Sequence, residues 1–247
     1  MDRVAVVTGG ASGMGRSICE HLALQGRRIA VLDLDGGAAD DVAGQLRQQG
    51  VQAVGVGADV AERDAVESAY SQVREELGPI TVLVTSAAVS GFVRFQDITV
   101  DGWNRTIAVN LTGTFHCIQL AIPDMVSAGW GRIVTISSAA GQTGSKKQAD
   151  YSASKGGVIQ LTKTVALEYA HKGITANTVP PFIIDTPMMR AAQASNHLAP
   201  DEMLNQFIPA RRLGTGDDIA GITAFLCSDA AAYITGQVIG VNGGAVT

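Results

Sequence analysis

The chain has 247 residues, 46% of them hydrophobic and 17% charged, a composition that can bury a large core and excludes a disordered chain. Lys and Arg number 18 against 23 Asp and Glu, for a net charge of −5, and there is no basic block of the kind a nucleic-acid groove requires. No stretch reaches the roughly 20 apolar residues of a membrane span, and the length suits a single α/β domain, residues 1–247.

The opening residues, MDRVAVVTGG, hold an apolar run too short for a leader core and pass straight into a glycine motif, so a cytoplasmic protein is expected. Cys19, Cys117 and Cys227 are odd in number, far apart and set among apolar neighbours in predicted helices. That pattern reads as buried thiols in a reducing compartment rather than as disulfides or metal ligands.

Val4 to Val7 reads as a buried strand, followed by Thr8-Gly9-Gly10-Ala11-Ser12-Gly13-Met14-Gly15 and a helix to about Gln25. Strand, glycine turn and helix form a phosphate cradle, because glycines admit a pyrophosphate close to the backbone and the helix start offers free N–H groups. A glycine-rich turn without a ligand is the alternative. A second strand, Arg28 to Leu32, ends at Asp33, 18 residues beyond Gly15. A carboxylate there can accept hydrogen bonds from the adenosine ribose hydroxyls and would repel a 2′-phosphate. No Arg or Lys follows at Leu34 to Gly37, so NAD(H) is favoured over NADP(H). Asp35 can share or take this role, and an exposed loop carboxylate is the plainer reading of both.

The alternation continues with a helix from Gly36 to Gln49, a strand Gln52 to Val56, a helix Glu62 to Glu76 and a strand Thr81 to Val84. This implies a parallel sheet with right-handed crossovers and helices on both faces. Asp59, after the third strand, reads as a helix N-cap, and equally well as a cofactor contact by the resemblance given below. A long helix is expected over Asp101 to Ala128 with Asn110 in its middle, where a buried Asn needs a hydrogen-bonding role and a solvent-facing one needs none.

The strand IVTIS then leads to Ser137 and Ser138, and a helix from about Ala149 carries Tyr151 and Lys155 four residues apart on one face. A nearby ammonium favours a phenolate, so Lys155 is expected to lower the Tyr151 pKa, with Ser138 donating to the substrate oxygen whose proton Tyr151 exchanges. After the strand Ile174 to Thr178, residues 182–212 are Met- and Ala-rich and read as a substrate lid or as a pair of core helices. A helix Asp217 to Ser228 and a strand Val238 to Val241 close the pattern.

These residues resemble the short-chain dehydrogenase/reductase family along essentially the whole chain: Thr8-Gly9-Gly10 to Gly15, Asp33, Asp59, Asn110, Ser138, Tyr151-x-x-x-Lys155, Thr186, Arg212-Leu-Gly214 to Asp218-Ile219, and Gly236-Gln to Gly243-Gly244. The resemblance implies a single Rossmann domain with a seven-stranded parallel sheet and a catalytic set of Asn110, Ser138, Tyr151 and Lys155. It implies that Lys155 binds the nicotinamide ribose, that Asn110 anchors a water in a proton relay and that Thr186 fixes the carboxamide. By the same resemblance the dinucleotide lies against Gly9, Ser12, Gly13, Met14 and Gly15, against Asp33, Leu34, Asp59 and Val60, against Ser86 and Ala87, and against Tyr151, Lys155, Ile184 and Thr186.

Two positions depart from the family pattern. Thr85-Ser86-Ala87-Ala88 stands where Asn-Asn-Ala-Gly is usual, with small polar groups expected to take over the hydrogen bonds of the first Asn and Ala88 adding a methyl near the cofactor. Phe182 follows Pro181 where Gly is usual, and is expected to reshape that turn and narrow the pocket. The expected activity is NAD(H)-dependent interconversion of a secondary alcohol and a ketone on a small or medium apolar substrate. The competitors are a 3-oxoacyl-thioester reductase, which in this family usually prefers NADPH, and a non-catalytic dinucleotide-binding regulator. Relatives are commonly tetramers or dimers, so a homo-oligomer through the helices ending near Ala128 and Lys172 is implied.

Overall fold

In the computed structural model, which describes residues 3–247, β-branched runs form β1 (Val4–Thr8), β2 (Arg28–Asp33), β3 (Ala53–Gly57), β4 (Ile80–Thr85), β5 (Gly131–Ile136) and β6 (Ile174–Val179). All pair in parallel, in the order β3-β2-β1-β4-β5-β6. The helices are α1 (Gly13–Leu24), α2 (Gly36–Gln48), α3 (Arg63–Glu76), α4 (Val100–Ile107), α5 (Gly113–Ala128), α6 (Ala140–Thr143), α7 (Ala149–Tyr169), α8 (Pro187–Ala194), α9 (Asp201–Phe207) and α10 (Gly216–Leu226).

Side chains alternate across a strand, so each apolar strand feeds two cores. Val4 and Val6 of β1 join Val66, Tyr70 and Val73 of α3, Ile118 and Met125 of α5 and Val165 of α7. Ala5 and Val7 join Ile18 and Leu22 of α1, Val42 and Leu46 of α2 and Ile219 and Ala224 of α10. Burying each of the larger side chains is worth about 1.5–3 kcal/mol, and this two-sided burial fixes the strand ends that carry the site.

The α/β Rossmann architecture matches the expectation, with two corrections. The sheet has six strands, not seven: Val238 and Val241 meet Thr178 and Pro181 only as isolated bridges. Thr178 N–H donates to the Gln237 carbonyl at 2.9 Å, and the Thr178 carbonyl accepts from Ile239 N–H at 2.9 Å. The next donor in that parallel ladder would be residue 180, and Pro180 has no N–H, so the ladder stops. The long helix over 101–128 is also interrupted. Between α4 and α5, Ala108–Thr112 form a π-helical turn, which widens the coil by one residue and turns Asn110 inward.

The 182–212 segment folds as α8 and α9 with the connections around them. Only Met189 of α8 and Leu204 of α9 are buried, so this is a cover on the surface, not a pair of core helices.

Candidate functional site

The strand order reverses between β1 and β4, and in an open parallel sheet the crevice beyond the strand ends at that point takes ligands. A cavity of about 300 Å³ lies there, lined by Gly9, Ser12, Gly13, Met14, Gly15, Asp33, Leu34, Asp59, Val60, Ser86, Ala87 and Thr186. The sequence-predicted cofactor residues are thus brought together, except Tyr151, Lys155 and Ile184. Tyr151 and Ile184 line a second cavity of about 330 Å³, which shares Met14, Thr186 and Met188 with the first. Lys155 is buried beside these cavities and lines neither.

The glycine turn is built for close approach. A Cβ on Gly15 would sit 2.0 Å from the Gly9 carbonyl oxygen, and Gly9, at φ +64°, has the Ala87 backbone 2.9 Å from where its Cβ would be. No other residue type fits either position. Ser12 caps α1 without a side-chain hydrogen bond, which leaves the first-turn N–H groups facing the crevice for an anion. A dinucleotide pyrophosphate fits this cradle.

At the far end of the crevice, Asp33 Oδ2 accepts from Ala11 N–H at 3.0 Å, tying the turn to the end of β2. Its Oδ1 accepts from Asp35 N–H at 3.4 Å, and the lone pairs left over can take hydroxyl donors. Asp35 caps α2 instead, its Oδ1 accepting from Gly37 and Ala38 N–H at 3.0 and 3.1 Å, and it does not line the crevice. Asp59 is not a helix N-cap, since Glu62 holds that position on α3. Its Oδ1 instead accepts from Ala61 N–H at 2.9 Å, and its Oδ2 pairs with Arg105 at 3.1 Å.

Beyond β5, Ser138 faces Tyr151 of α7. Burial pushes the Tyr151 phenol above its ordinary value, and the hydrogen bond from Ser138 partly offsets this. One turn along α7, Lys155 is 3% exposed and its ammonium donates to the Ile136 carbonyl at 2.8 Å. Burial pulls the lysine down to about 8. The expectation that Lys155 lowers the Tyr151 pKa is not met by this geometry. The ammonium lies 5.8 Å from the centre of the Tyr151 ring and is turned to the strand carbonyl.

Asn110 is fully buried. Its Oδ1 accepts from Val89 N–H at 2.8 Å, and its Nδ2 donates to the Val89 carbonyl at 2.9 Å and to Ser154 Oγ at 3.0 Å. The side chain thus clamps the loop after β4 to α7, and any relay water would have to use the backbone of the π turn, not this amide.

The two departures meet expectation in part: Ala88 lines the crevice and Phe182 the second cavity. Thr85 Oγ1 is buried without a hydrogen-bond partner, so it does not take over the bonds expected at that position. Thr8 does this work from the neighbouring strand: its Oγ1 accepts from both Ser86 and Ala87 N–H at 3.1 Å. Phe182 is absent from the positive-φ residues, so its turn is unstrained, and its ring lines the second cavity with Phe92, Met188, Met189 and Leu198. Arg105, Val109, Pro187 and Met188 also line the dinucleotide crevice and had no sequence signal, because fold contacts rather than motif spacing bring them there.

Fold, crevice and side-chain set together define a dinucleotide-dependent oxidoreductase, and the chain belongs to the short-chain dehydrogenase/reductase family. Residues 9–246 match the family model described as enoyl-(acyl carrier protein) reductase. Among individual proteins, it is 41% identical over 246 residues to the 3-oxoacyl-(acyl-carrier-protein) reductase FabG of Staphylococcus epidermidis, covering 99% of each chain. It is 38% identical over 248 residues to the 3-oxoacyl-(acyl-carrier-protein) reductase MabA of Mycobacterium tuberculosis, covering 99% of this chain and 93% of that one. The crystal structure of gox2181 superposes with a TM-score of 0.93 at 34% identity, covering 99% of this chain and 95% of that one.

Proposed function

We propose that the protein interconverts a ketone and a secondary alcohol with NAD(H), and that the ketone is the 3-oxo group of an acyl thioester. The carrying observation is the Ser138–Tyr151 pair at the wall of an apolar cavity that opens onto the glycine cradle through Met14, Thr186 and Met188. The substrate class follows the names of the full-length relatives, which favour a 3-oxoacyl group over a simple alcohol. The choice of NAD(H) rests on Asp33, whose carboxylate sits in the crevice without a cation paired to it among the described residues.

When bound, the dinucleotide supplies or accepts the hydride at the carbonyl carbon. Ser138 donates a hydrogen bond to the substrate oxygen, and Tyr151 gives that oxygen a proton in reduction and removes it in oxidation. By the family resemblance Lys155 would position the nicotinamide ribose, and Thr186, which lines both cavities, the carboxamide. We read the chain as one domain, with 182–212 covering the substrate. The buried, unpaired Cys19, Cys117 and Cys227 support a reducing, cytoplasmic setting, and no helix is long and apolar enough to cross a membrane. Exposed Trp103, Phe115, Val126 and Leu167 on α4, α5 and α7 support a homo-oligomer through those helices.

Fluorescence titration with NADH and NADPH tests the cofactor reading. NADH should bind tighter, and Asp33→Ala should weaken NADH and erase the preference. Equal or tighter NADPH binding by the unaltered protein would overturn the role of Asp33 and leave the NADPH-linked thioester reductase as the reading.

A further inference from the structure

The substrate cavity has a second polar feature besides Ser138 and Tyr151. Ser145 Oγ donates to Gln148 Oε1 at 2.6 Å, and Gln148 Nε2 donates to Ser90 Oγ at 2.8 Å. An amide accepts at oxygen and donates at nitrogen, so the first bond sets the direction of the second. Ser90 is consequently an acceptor in this chain, and its own O–H proton is given to no acceptor among the described residues. All three side chains line the cavity that Ser138 and Tyr151 also line.

The chain is rigidly held. Gln148 is 9% exposed, and its carbonyl accepts from Ser152 N–H at 2.8 Å at the start of α7. Val93 N–H donates to the Lys147 carbonyl at 2.8 Å, joining the Ser90 loop to the Gln148 loop. Linked hydrogen bonds polarise one another, so a hydroxyl at the end of such a chain is a better donor than an isolated one. No Lys, Arg or His is among the described residues lining this cavity. A carboxylate buried there would lack a counter-charge, whereas a neutral carbonyl oxygen needs only a donor.

We propose that Ser90 donates to a second substrate oxygen, the thioester carbonyl of a 3-oxoacyl group, and so selects 1,3-dicarbonyl substrates over simple ketones. Gln148 and Ser145 act through Ser90 as positioning residues. One methylene separates the two carbonyls in such a substrate, so holding one at Ser138 and Tyr151 and the other at Ser90 fixes which face of the ketone meets the hydride. The inference rests on the thioester reading above.

The test compares a 3-oxoacyl N-acetylcysteamine thioester with a monoketone of the same length in which a methylene replaces the thioester carbonyl. Ser90→Ala should lower kcat/KM for the thioester about 10–100-fold, the size of a lost buried hydrogen bond, and leave the monoketone within about twofold. Ser90→Thr, which keeps the hydroxyl, should recover most of the loss, and Gln148→Met should show a smaller loss of the same selectivity. Equal losses on both substrates, or none on the thioester, would overturn the role of Ser90 while the thioester reading stands. An unaltered enzyme that reduces the monoketone and ignores the thioester would overturn the substrate reading and this inference together.

Discussion

Asn110 holds Val89 by both its backbone polar groups, accepting from the N–H at 2.8 Å and donating to the carbonyl at 2.9 Å, as a neighbouring strand would. The loop after β4 therefore behaves as an extra paired segment, and its position depends on an amide delivered by the π turn. Asn110→Ala would leave Val89 and Ser154 short of partners in a buried place. Each orphaned group costs about 1–3 kcal/mol, so unfolding in urea should shift by a few kcal/mol. Asn110→Asp should fall further than a neutral loss, because a carboxylate facing the Val89 carbonyl repels it. A urea midpoint unchanged in either variant would show that the clamp carries no stability.

Lys155 is a buried ammonium held below its ordinary 10.5, at about 8, chiefly by loss of solvent. Its folded value is depressed, so between about pH 8 and 10.4 the unfolded chain binds more protons than the folded one, and stability rises with pH across that window. At neutral pH the charged lysine costs on the order of 3 kcal/mol relative to a solvated one. Lys155→Met should therefore stabilise the protein by about 1–3 kcal/mol at pH 7, with the gain shrinking as pH rises from about 8 to 10.4, while activity is lost. A destabilised variant at pH 7 would mean that the Ile136 hydrogen bond outweighs desolvation.

Much of this arrangement is legible in the sequence because it depends on local spacing. The glycines of the first turn, Asp33 at the end of β2, and Tyr151 with Lys155 one helical turn apart are set by neighbours in the chain, and the fold brings the glycines and Asp33 to one crevice and Tyr151 to the cavity beside it. The π turn at Ala108–Thr112 was not legible, since a run that continues as helix on either side carries no propensity signal for one extra residue. The missing seventh strand was, in retrospect, written in Pro180 and Pro181, which remove the donors a parallel ladder needs. Lys155's orientation depends on Ile136, 19 positions away, and such a contact exists only once β5 and α7 are packed.

Arg190 ties the α8–α9 segment together. It makes paired hydrogen bonds to Asp185 at 2.8 and 2.7 Å and reaches Asp201 at 2.8 and 2.9 Å, so one guanidinium joins the entry to α8 with the start of α9. The group is exposed, and solvent screens the pairs, so global stability should hardly change in Arg190→Ala. Local order is another matter, because few apolar contacts hold this segment. Limited proteolysis should cut the variant within 186–207 several times faster, and KM for the substrate should rise several-fold with kcat little altered. Proteolysis and KM both unchanged would remove the latch from the account.

Tyr151 gives the sharpest pH prediction. Burial holds its phenol above the ordinary value, with the Ser138 hydrogen bond partly offsetting this, and the Lys155 ammonium is turned away to the Ile136 carbonyl. The absorbance change at alkaline pH that is lost in Tyr151→Phe should therefore have a midpoint above about 10, and Lys155→Met should leave it in place. In turnover, oxidation needs the phenolate and reduction needs the phenol, so kcat/KM should rise with pH for the alcohol and fall at high pH for the ketone, with opposite slopes. Tyr151→Phe should lower both by about 10²–10⁴-fold. A midpoint below about 10 that moves upward in Lys155→Met would restore the ammonium as the group that sets the phenol, and a flat oxidation profile through neutral and alkaline pH would remove Tyr151 as the acid and base.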